Sequence, residues 1–288
     1  MPLEYEKLMN WPHEEVAQSY TARDAMLYAL GLGLGADPMN MDELKYVYED
    51  GLQTLPTLAV VLAMPKPWLN KPETGVVYKQ LLHAEQTLEI HKPLPNAATV
   101  VARTEVSEIY DKGVDRGAIL CTKRVIRDQT TGEPYATVGI NMFLRANGGF
   151  GRENAAQAPK PPARPDRAPD IFYDQATLPQ AALIYRLSGD YNPLHADPRL
   201  AAASGFSKPI LHGLCTFGIA SYALVRLLAD NDPTRLRMCA GRFSSPVFPG
   251  ETIRTEVWKD GGDRVAFQCK VLERDKVVFT SGEAVITS

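Results

Sequence analysis

Between Tyr185 and His195 the chain gathers a carboxylate (Asp190), a carboxamide (Asn192) and an imidazole (His195). Asp190 and His195 stand five residues apart, a poor spacing for one helix face. Gly189 and Pro193 interrupt regular structure around them, and Pro193 pushes Asn192 out of the helical region. On such a bent loop two titratable side chains can converge on one point, which is what general acid–base chemistry requires. A carboxylate and a near-neutral imidazole together activate a water and return a proton. Further along, His212-Gly213 opens a long apolar segment. A helix starting there presents unpaired N–H groups and a positive dipole end, which stabilise a developing oxyanion. Glycine lets a ligand approach that backbone closely. Base plus oxyanion donor suits the addition of water to an unsaturated carbonyl compound, or its removal.

Plainer readings compete. Asp, Asn, Gly and Pro are ordinary turn formers, and Asp-x-Asn-Pro alone reads as a surface turn. Its setting between the apolar stretches Ala181–Leu187 and Ile210–Ala229 places the loop over a core instead. Ser188 and Cys215 are the nearby nucleophiles; the first reads as a turn residue and the second as helix packing. Asp190, His195, Asp197 and His212 match no common ligand template, so no metal is expected. Asp197, followed by Pro198, reads as a helix cap. His212 stands open between a catalytic and a structural role.

The elements that must position these residues come next. Length, at 288 residues, allows one large domain or two ordinary ones. Hydrophobic content of 45% and charged content of 23% are those of a soluble globular chain. A net charge of −3 offers no broad basic surface for nucleic acid. No apolar run approaches the roughly 20 residues of a membrane span. The N-terminus lacks a signal layout and the C-terminus lacks a Ser-Lys-Leu address, so an intracellular protein is expected, cytoplasmic in a bacterium, with a peroxisome left open in a eukaryote. Cys121, Cys215, Cys239 and Cys269 form no CxxC pattern and suit a reduced compartment.

Residues 11–20 read as a lead-in. A helix capped by Thr21 or Asp24 runs to about Leu30 and ends in Gly31–Gly35; that glycine run follows a helix, so it is not a dinucleotide cradle. Asp42–Tyr48 suggests a helical turn, and Leu55–Met64, apolar all round, predicts a buried helix. Strands are expected over Leu88–His91, Ala98–Tyr110, Gly117–Arg127 and Tyr135–Arg145. Residues 148–170, rich in Gly and in Pro159, Pro161, Pro162, Pro165 and Pro169, read as a semi-rigid spacer between an N-terminal unit (1–147) and a C-terminal one (171–288). The second half repeats the plan: a short helix over Gln180–Leu187, another from Asp197 to Gly205, and a long apolar one over Leu214–Ala229. Strands follow over Met238–Phe243, Glu251–Lys259, Val265–Glu273 and Val277–Ile286. Laying Tyr28 on Tyr185 puts Gly33 opposite Asp190, with no histidine opposite His195. This suggests a duplication that keeps its chemistry only in the C-terminal copy.

Leu187-Ser-Gly-Asp-Tyr-Asn-Pro-Leu-His195, followed by Gly205-Phe-Ser-Lys-Pro-Ile-Leu-His-Gly-Leu-Cys-Thr-Phe-Gly218, resembles the motif of the hydratase 2 branch of the MaoC-like family. Tyr28–Gly33, His83–Gln86, Tyr110–Gly113 and Gly148–Gly151 extend the resemblance over nearly the whole chain. It implies an α+β double hot-dog, two antiparallel sheets each wrapped around a central helix. It also implies hydration of trans-2-enoyl-CoA to (3R)-3-hydroxyacyl-CoA, with no metal or redox cofactor and coenzyme A as part of the substrate. By the motif, Asp190 and His195 are the pair that activates water. Asn192 supports their geometry, and the Gly213 amide polarises the thioester carbonyl. His83, Ala84, Lys112 and Phe243 are implied to line the coenzyme A and acyl cleft, and the N-terminal copy to hold a long acyl chain. Lys112 has a second reading as a solvated turn lysine. Ala84 departs from the family's glycine, which narrows the cleft. Relatives are often dimers. The rival functions are a thioesterase, a dehydratase of branched or dicarboxylic acyl-CoA, or a catalytically silent acyl-CoA-binding protein.

Overall fold

The computed structural model describes residues 3–152, 154–158 and 162–287; Pro159 and Pro161 of the expected spacer lie outside them. The N-terminal half carries α1 (Tyr5–Met9), β1 (Glu15–Tyr20), α2 (Ala22–Gly31), α3 (Met41–Val47), β2 (Leu81–Ile90), β3 (Ala98–Asp111), β4 (Ala118–Asp128) and β5 (Pro134–Leu144). The C-terminal half carries β6 (Ile171–Ala176), α4 (Ala181–Tyr185), α5 (Pro198–Ala203), α6 (Gly213–Leu228), β7 (Leu236–Phe243), β8 (Thr252–Lys259), β9 (Arg264–Val271) and β10 (Lys276–Ile286).

All ten strands join one antiparallel sheet in the order β1-β3-β4-β5-β2-β7-β10-β9-β8-β6. Read from either edge inward, the two halves have the same strand plan, as a duplicated chain would. They meet where β2 pairs with β7, Gln86 opposite Gly241 and Leu88 opposite Cys239. Alternation produces the strands: along β3, Val100, Ala102, Thr104 and Val106 point inward while Arg103, Glu105 and Ser107 face water. A bulge between Val106 and Glu108 then switches the inward set to Ile109 and Asp111. The Tyr28 and Tyr185 rings, aligned with each other in the sequence comparison of the halves, lie 5.6 Å apart where α2 meets α4.

The sheet of the C-terminal half wraps α6, whose residues Leu214–Val225 are all buried. A helix apolar on every side belongs in a core, and here it is the core. The N-terminal half differs from expectation. Leu55–Met64 does not form a helix of that length; it gives a 3-10 turn over Pro56–Val61, then extended backbone at Leu62 and a left-handed Ala63 (φ 46°). Pro56 opens the segment and Pro65 follows it, leaving too little chain for stable α-helical turns. Side chains take up its backbone groups instead: Gln18 Oε1 accepts from the Ala63 N–H, and Arg124 Nη2 donates to the Val60 carbonyl.

Sequence reading also passed over the edge strands β1 and β6 and began β2 at Leu88. Each edge strand is six residues long, and β2 opens with the polar run His83-Ala-Glu-Gln86. The spacer is strapped down at both ends. Asp111 accepts from the Gly149, Gly151 and Arg152 amides, and Trp258 Nε1 donates to the Arg167 carbonyl. Among the described residues no helix is long and apolar enough to cross a membrane.

Candidate active site

The loop from Gly189 to His195 is bent by its own polar groups. Helix α4 tightens into a 3-10 turn at Arg186–Ser188, and Gly189 (φ 129°) turns the chain. Asp190 Oδ1 then accepts from the Asn192 N–H at 3.2 Å, and Asn192 Oδ1 accepts from the Leu194 N–H at 3.1 Å. That second bond caps a 3-10 turn over Pro193–His195 and swings His195 inward to 8% exposure, while Asp190 stays half-buried. Asn192 itself is exposed; its carboxamide shapes the loop.

His195 Nδ1 donates to the Ile210 carbonyl at 2.8 Å. This fixes the tautomer that leaves Nε2 as a proton acceptor. His212, the residue before α6, donates from Nε2 to the backbone carbonyl of Asp190 at 3.1 Å, which ties the helix entry to the loop. The two imidazoles stack with centroids 3.8 Å apart and planes 28° from parallel. Burial lowers the pKa of both; for His212 the neighbouring His195 lowers it further. The pair is therefore neutral at pH 7.

Gly213 starts α6 directly after His212. Its N–H and that of Leu214 have no hydrogen-bond partner among the described residues, because the first bonds to His212 come from Cys215 and Thr216. Phe243, at the end of β7, closes against this turn: a Cβ on Gly213 would lie 3.1 Å from its ring. His83, from β2, meets the same ring edge-on at 5.0 Å. Burial pushes the His83 imidazole down to about 4, against a smaller upward pull from Asp190. Ala84 sits at the bulge between His83 and Glu85.

The structure thus brings Asp190, His195, Gly213, His83 and Phe243 together from both halves. Lys112 stands apart at the β3–β4 turn, its ammonium 5.1 Å above Phe143, whose strand partner is Leu82 next to His83. The candidate nucleophile Cys215 is buried, donates to the Gly31 carbonyl at 3.5 Å, and has its thiol pKa raised by burial. His212 stacks on His195 and bonds to the Asp190 carbonyl, contacts that fit either role open to it in the sequence.

Donor atoms of Asp190, His195 and His212 lie within 4.8 Å of one another. Imidazole lone pairs lie in the ring plane, so two nearly parallel stacked rings aim them side by side rather than at one tetrahedral centre. The set is better suited to proton transfer than to a metal. Asp197 is outside it, capping α5 and pairing with Arg199.

Residues 18–146 match the MFE-2 hydratase 2 N-terminal domain and residues 160–281 match the MaoC like domain. Enoyl-CoA hydratase ChsH3 of Mycobacterium tuberculosis is 38% identical over 290 residues, 99% of each chain. The chain belongs to the MaoC-like hydratase 2 family. Within that family the peroxisomal enoyl-CoA hydratase 2 of Arabidopsis thaliana is 39% identical, over 92% of this chain and 90% of its own. The crystal structure of a MaoC-like dehydratase from Phytophthora capsici superposes with a TM-score of 0.83 at 34% identity, covering 98% of both chains. The double hot-dog expected from the sequence is therefore the fold observed, with the N-terminal helix replaced by the 3-10 turn.

Proposed function

We propose that this chain is an (R)-specific 2-enoyl-CoA hydratase, adding water reversibly to trans-2-enoyl-CoA to give (3R)-3-hydroxyacyl-CoA. The observation that carries this reading is the convergence of His195 and Asp190 on the N-terminal turn of α6 at Gly213. Water held between the Asp190 carboxylate and His195 Nε2 loses a proton as its oxygen bonds to C3. The C2–C3 π electrons move toward the thioester, and the enolate oxygen that develops is met by the Gly213 N–H and the helix dipole. A proton delivered to C2 completes the addition, so atoms balance without redox or metal chemistry. Neutral, buried surroundings strengthen each of these interactions.

Asn192 holds the loop in shape, and His83, Ala84 and Phe243 form the wall along which the thioester passes. Lys112 meets a coenzyme A phosphate as a cation at the rim. The acyl chain enters the N-terminal half, where six residues of 3-10 turn stand in place of a sixteen-residue helix. The hydratase motif from Leu187 to Gly218 argues against a thioesterase.

The test is hydration of trans-2-enoyl-CoAs of short and long chain, followed by loss of the enoyl-thioester absorbance. Product chirality is read with stereospecific 3-hydroxyacyl-CoA dehydrogenases. Turnover to the 3R product that is lost in Asp190→Asn is the expected result. Release of free thiol, or binding without turnover, would replace this reading with a thioesterase or a silent binding protein.

A further inference from the structure

Arg124 points from β4 into the concave face of the N-terminal half and is 3% exposed. Its Nη2 donates to the Val60 carbonyl at 3.0 Å. Among the described residues Nε is buried without a hydrogen-bond partner, and no carboxylate pairs with the guanidinium. Burial alone moves its pKa, down to about 10, with no acid nearby to oppose it. A buried cation with neither counter-ion nor a full set of acceptors is rare in a protein interior. Thr104 Oγ1, on the strand partner of Arg124, is also buried and unsatisfied, as is Gln86 Oε1 two strands away on β2.

The strand register places these groups relative to the reaction. One inward-facing row across the sheet is Thr104–Arg124–Val138–Leu88. The next is Val106–Thr122–Ile140–Gln86, and the one after joins Leu120, Met142 and His83. From the His83 row to the Arg124 row is four residues of β4, roughly 13 Å at the rise of a strand. The polar band of Thr104, Arg124, Thr122 and Gln86 runs where two apolar clusters adjoin, one holding Val106, Ala118 and Leu120 and the other Ile126, Val138 and Leu88. Ile140, inside the band, is only half-buried. The counterpart strand β9 has Val265, Phe267, Cys269 and Val271 at its inward positions, in the half that holds α6. Polar residues replace apolar ones where the helix is missing, at a fixed distance from His83.

We propose that Arg124 binds a carboxylate at the far end of the acyl chain, so that the preferred substrates are medium-chain enoyl-CoAs with an ω-carboxyl group. This rests on the hydratase reading above. A carboxylate supplies both the missing acceptor and the missing countercharge, while Thr104 offers it a hydroxyl. The 13 Å span corresponds to roughly ten bonds of an extended hydrocarbon chain, each about 1.5 Å long and zigzagging. A methyl-terminated chain of that length would leave the guanidinium desolvated and unpaired. A four-carbon acyl group would not reach it.

The experiment compares kcat/KM for trans-2-butenoyl-CoA, trans-2-dodecenoyl-CoA and the dodecenoyl-CoA carrying an ω-carboxyl group, in the unmodified protein and in Arg124→Met. The unmodified protein is expected to favour the ω-carboxyl substrate over its methyl-terminated counterpart by about tenfold or more, the scale of one charge-assisted hydrogen bond. Arg124→Met should reverse that order and leave trans-2-butenoyl-CoA nearly unchanged. An equal fall on all three substrates would mean that Arg124 only supports the Val60 carbonyl, and would overturn the assignment. If the variant does not fold, the unmodified protein decides alone: preference for methyl-terminated chains at every length from eight to fourteen carbons overturns it. No turnover of any substrate, trans-2-butenoyl-CoA included, would remove the hydratase reading and this assignment with it.

Discussion

Gly213→Ala adds one methyl group where α6 begins, and two separate costs can be worked from its surroundings. The new Cβ would stand 3.1 Å from Phe243 Cε1 and 3.3 Å from Cδ1 and Cζ. Phe243 cannot retreat freely, because Phe279 lies edge-on at 5.2 Å and His83 at 5.0 Å. The mismatch is a few tenths of an ångström, so the cost in stability sits at the lower end of overpacking, about 1 kcal/mol. The catalytic cost is larger. The methyl group holds the thioester oxygen off the Gly213 N–H, and losing one oxyanion donor reduces turnover on the order of 10²–10³-fold. Steady-state hydration of trans-2-butenoyl-CoA should show kcat falling by that factor with KM changed far less, since the interaction strengthens only as the enolate forms. Thermal unfolding reports the packing cost. Combining Gly213→Ala with Phe243→Leu separates the two: the smaller side chain should recover stability but not kcat. If the double variant regains turnover, the loss came from a displaced Phe243, and the amide has no role in stabilising the enolate.

Asp190→Asn and His195→Ala should each reduce kcat by about 10²–10⁴, and the double variant should be scarcely worse than either; multiplied losses would show that they serve different steps. Hydration needs His195 neutral, and burial places its pKa below 6.5. The rate should therefore be level at pH 7 and fall only on the acid side of 6.5, so a pH–rate profile with its acid midpoint above 6.5 would refute the assignment. His83 carries a linked effect on stability. With a folded pKa of about 4 against 6.5 unfolded, the unfolded chain binds the extra proton between those values. Its contribution is thus whole above pH 6.5 and lost as pH falls toward 4, at most about 3 kcal/mol. Denaturant unfolding across that window should show the slope, and His83→Phe, which keeps a ring against Phe243, should flatten it.

The catalytic loop was legible because its shape is local. Gly189, Asp190, Asn192 and Pro193 bend one another through bonds spanning two residues, and turn chemistry of that range is written in adjacent letters. The inner strands were legible from alternation, as in β3. Residues 56–61 were not, since an apolar run says that a segment is buried but not how its backbone bonds are met. The answer depends on Gln18 and Arg124, distant in sequence. His83 and Phe243 came only from resemblance; they meet because β2 pairs with β7, Glu85 opposite Arg242, and no periodicity announces that ladder. Arg124 was not singled out at all. Next to Lys123, it reads as one more strand charge until the register shows which of the two faces inward.

The two halves share a strand plan and differ in what fills it, and that difference explains why the chemistry needs both. A sixteen-residue helix satisfies its own backbone and fills the C-terminal sheet, so that half is rigid and its helix entry can hold Gly213 steady beneath His195. The proposed mechanism accordingly places the acyl chain in the other half. The N-terminal half gives up the helix and keeps its sheet by pairing with the other along β2–β7 and by handing backbone bonds to side chains. It is not merely a container. Its Val61 carbonyl lies within 3.4 Å of the Cβ position of Gly189, and its His83 shares the Phe243 ring with Gly213. Under the proposed mechanism the reacting centre sits at the seam, with the acid–base groups on the packed side and the acyl chain on the other. On the proposed function, a full helix restored to residues 55–64 would close the route taken by the acyl chain, and turnover of long-chain substrates should fall more than that of trans-2-butenoyl-CoA.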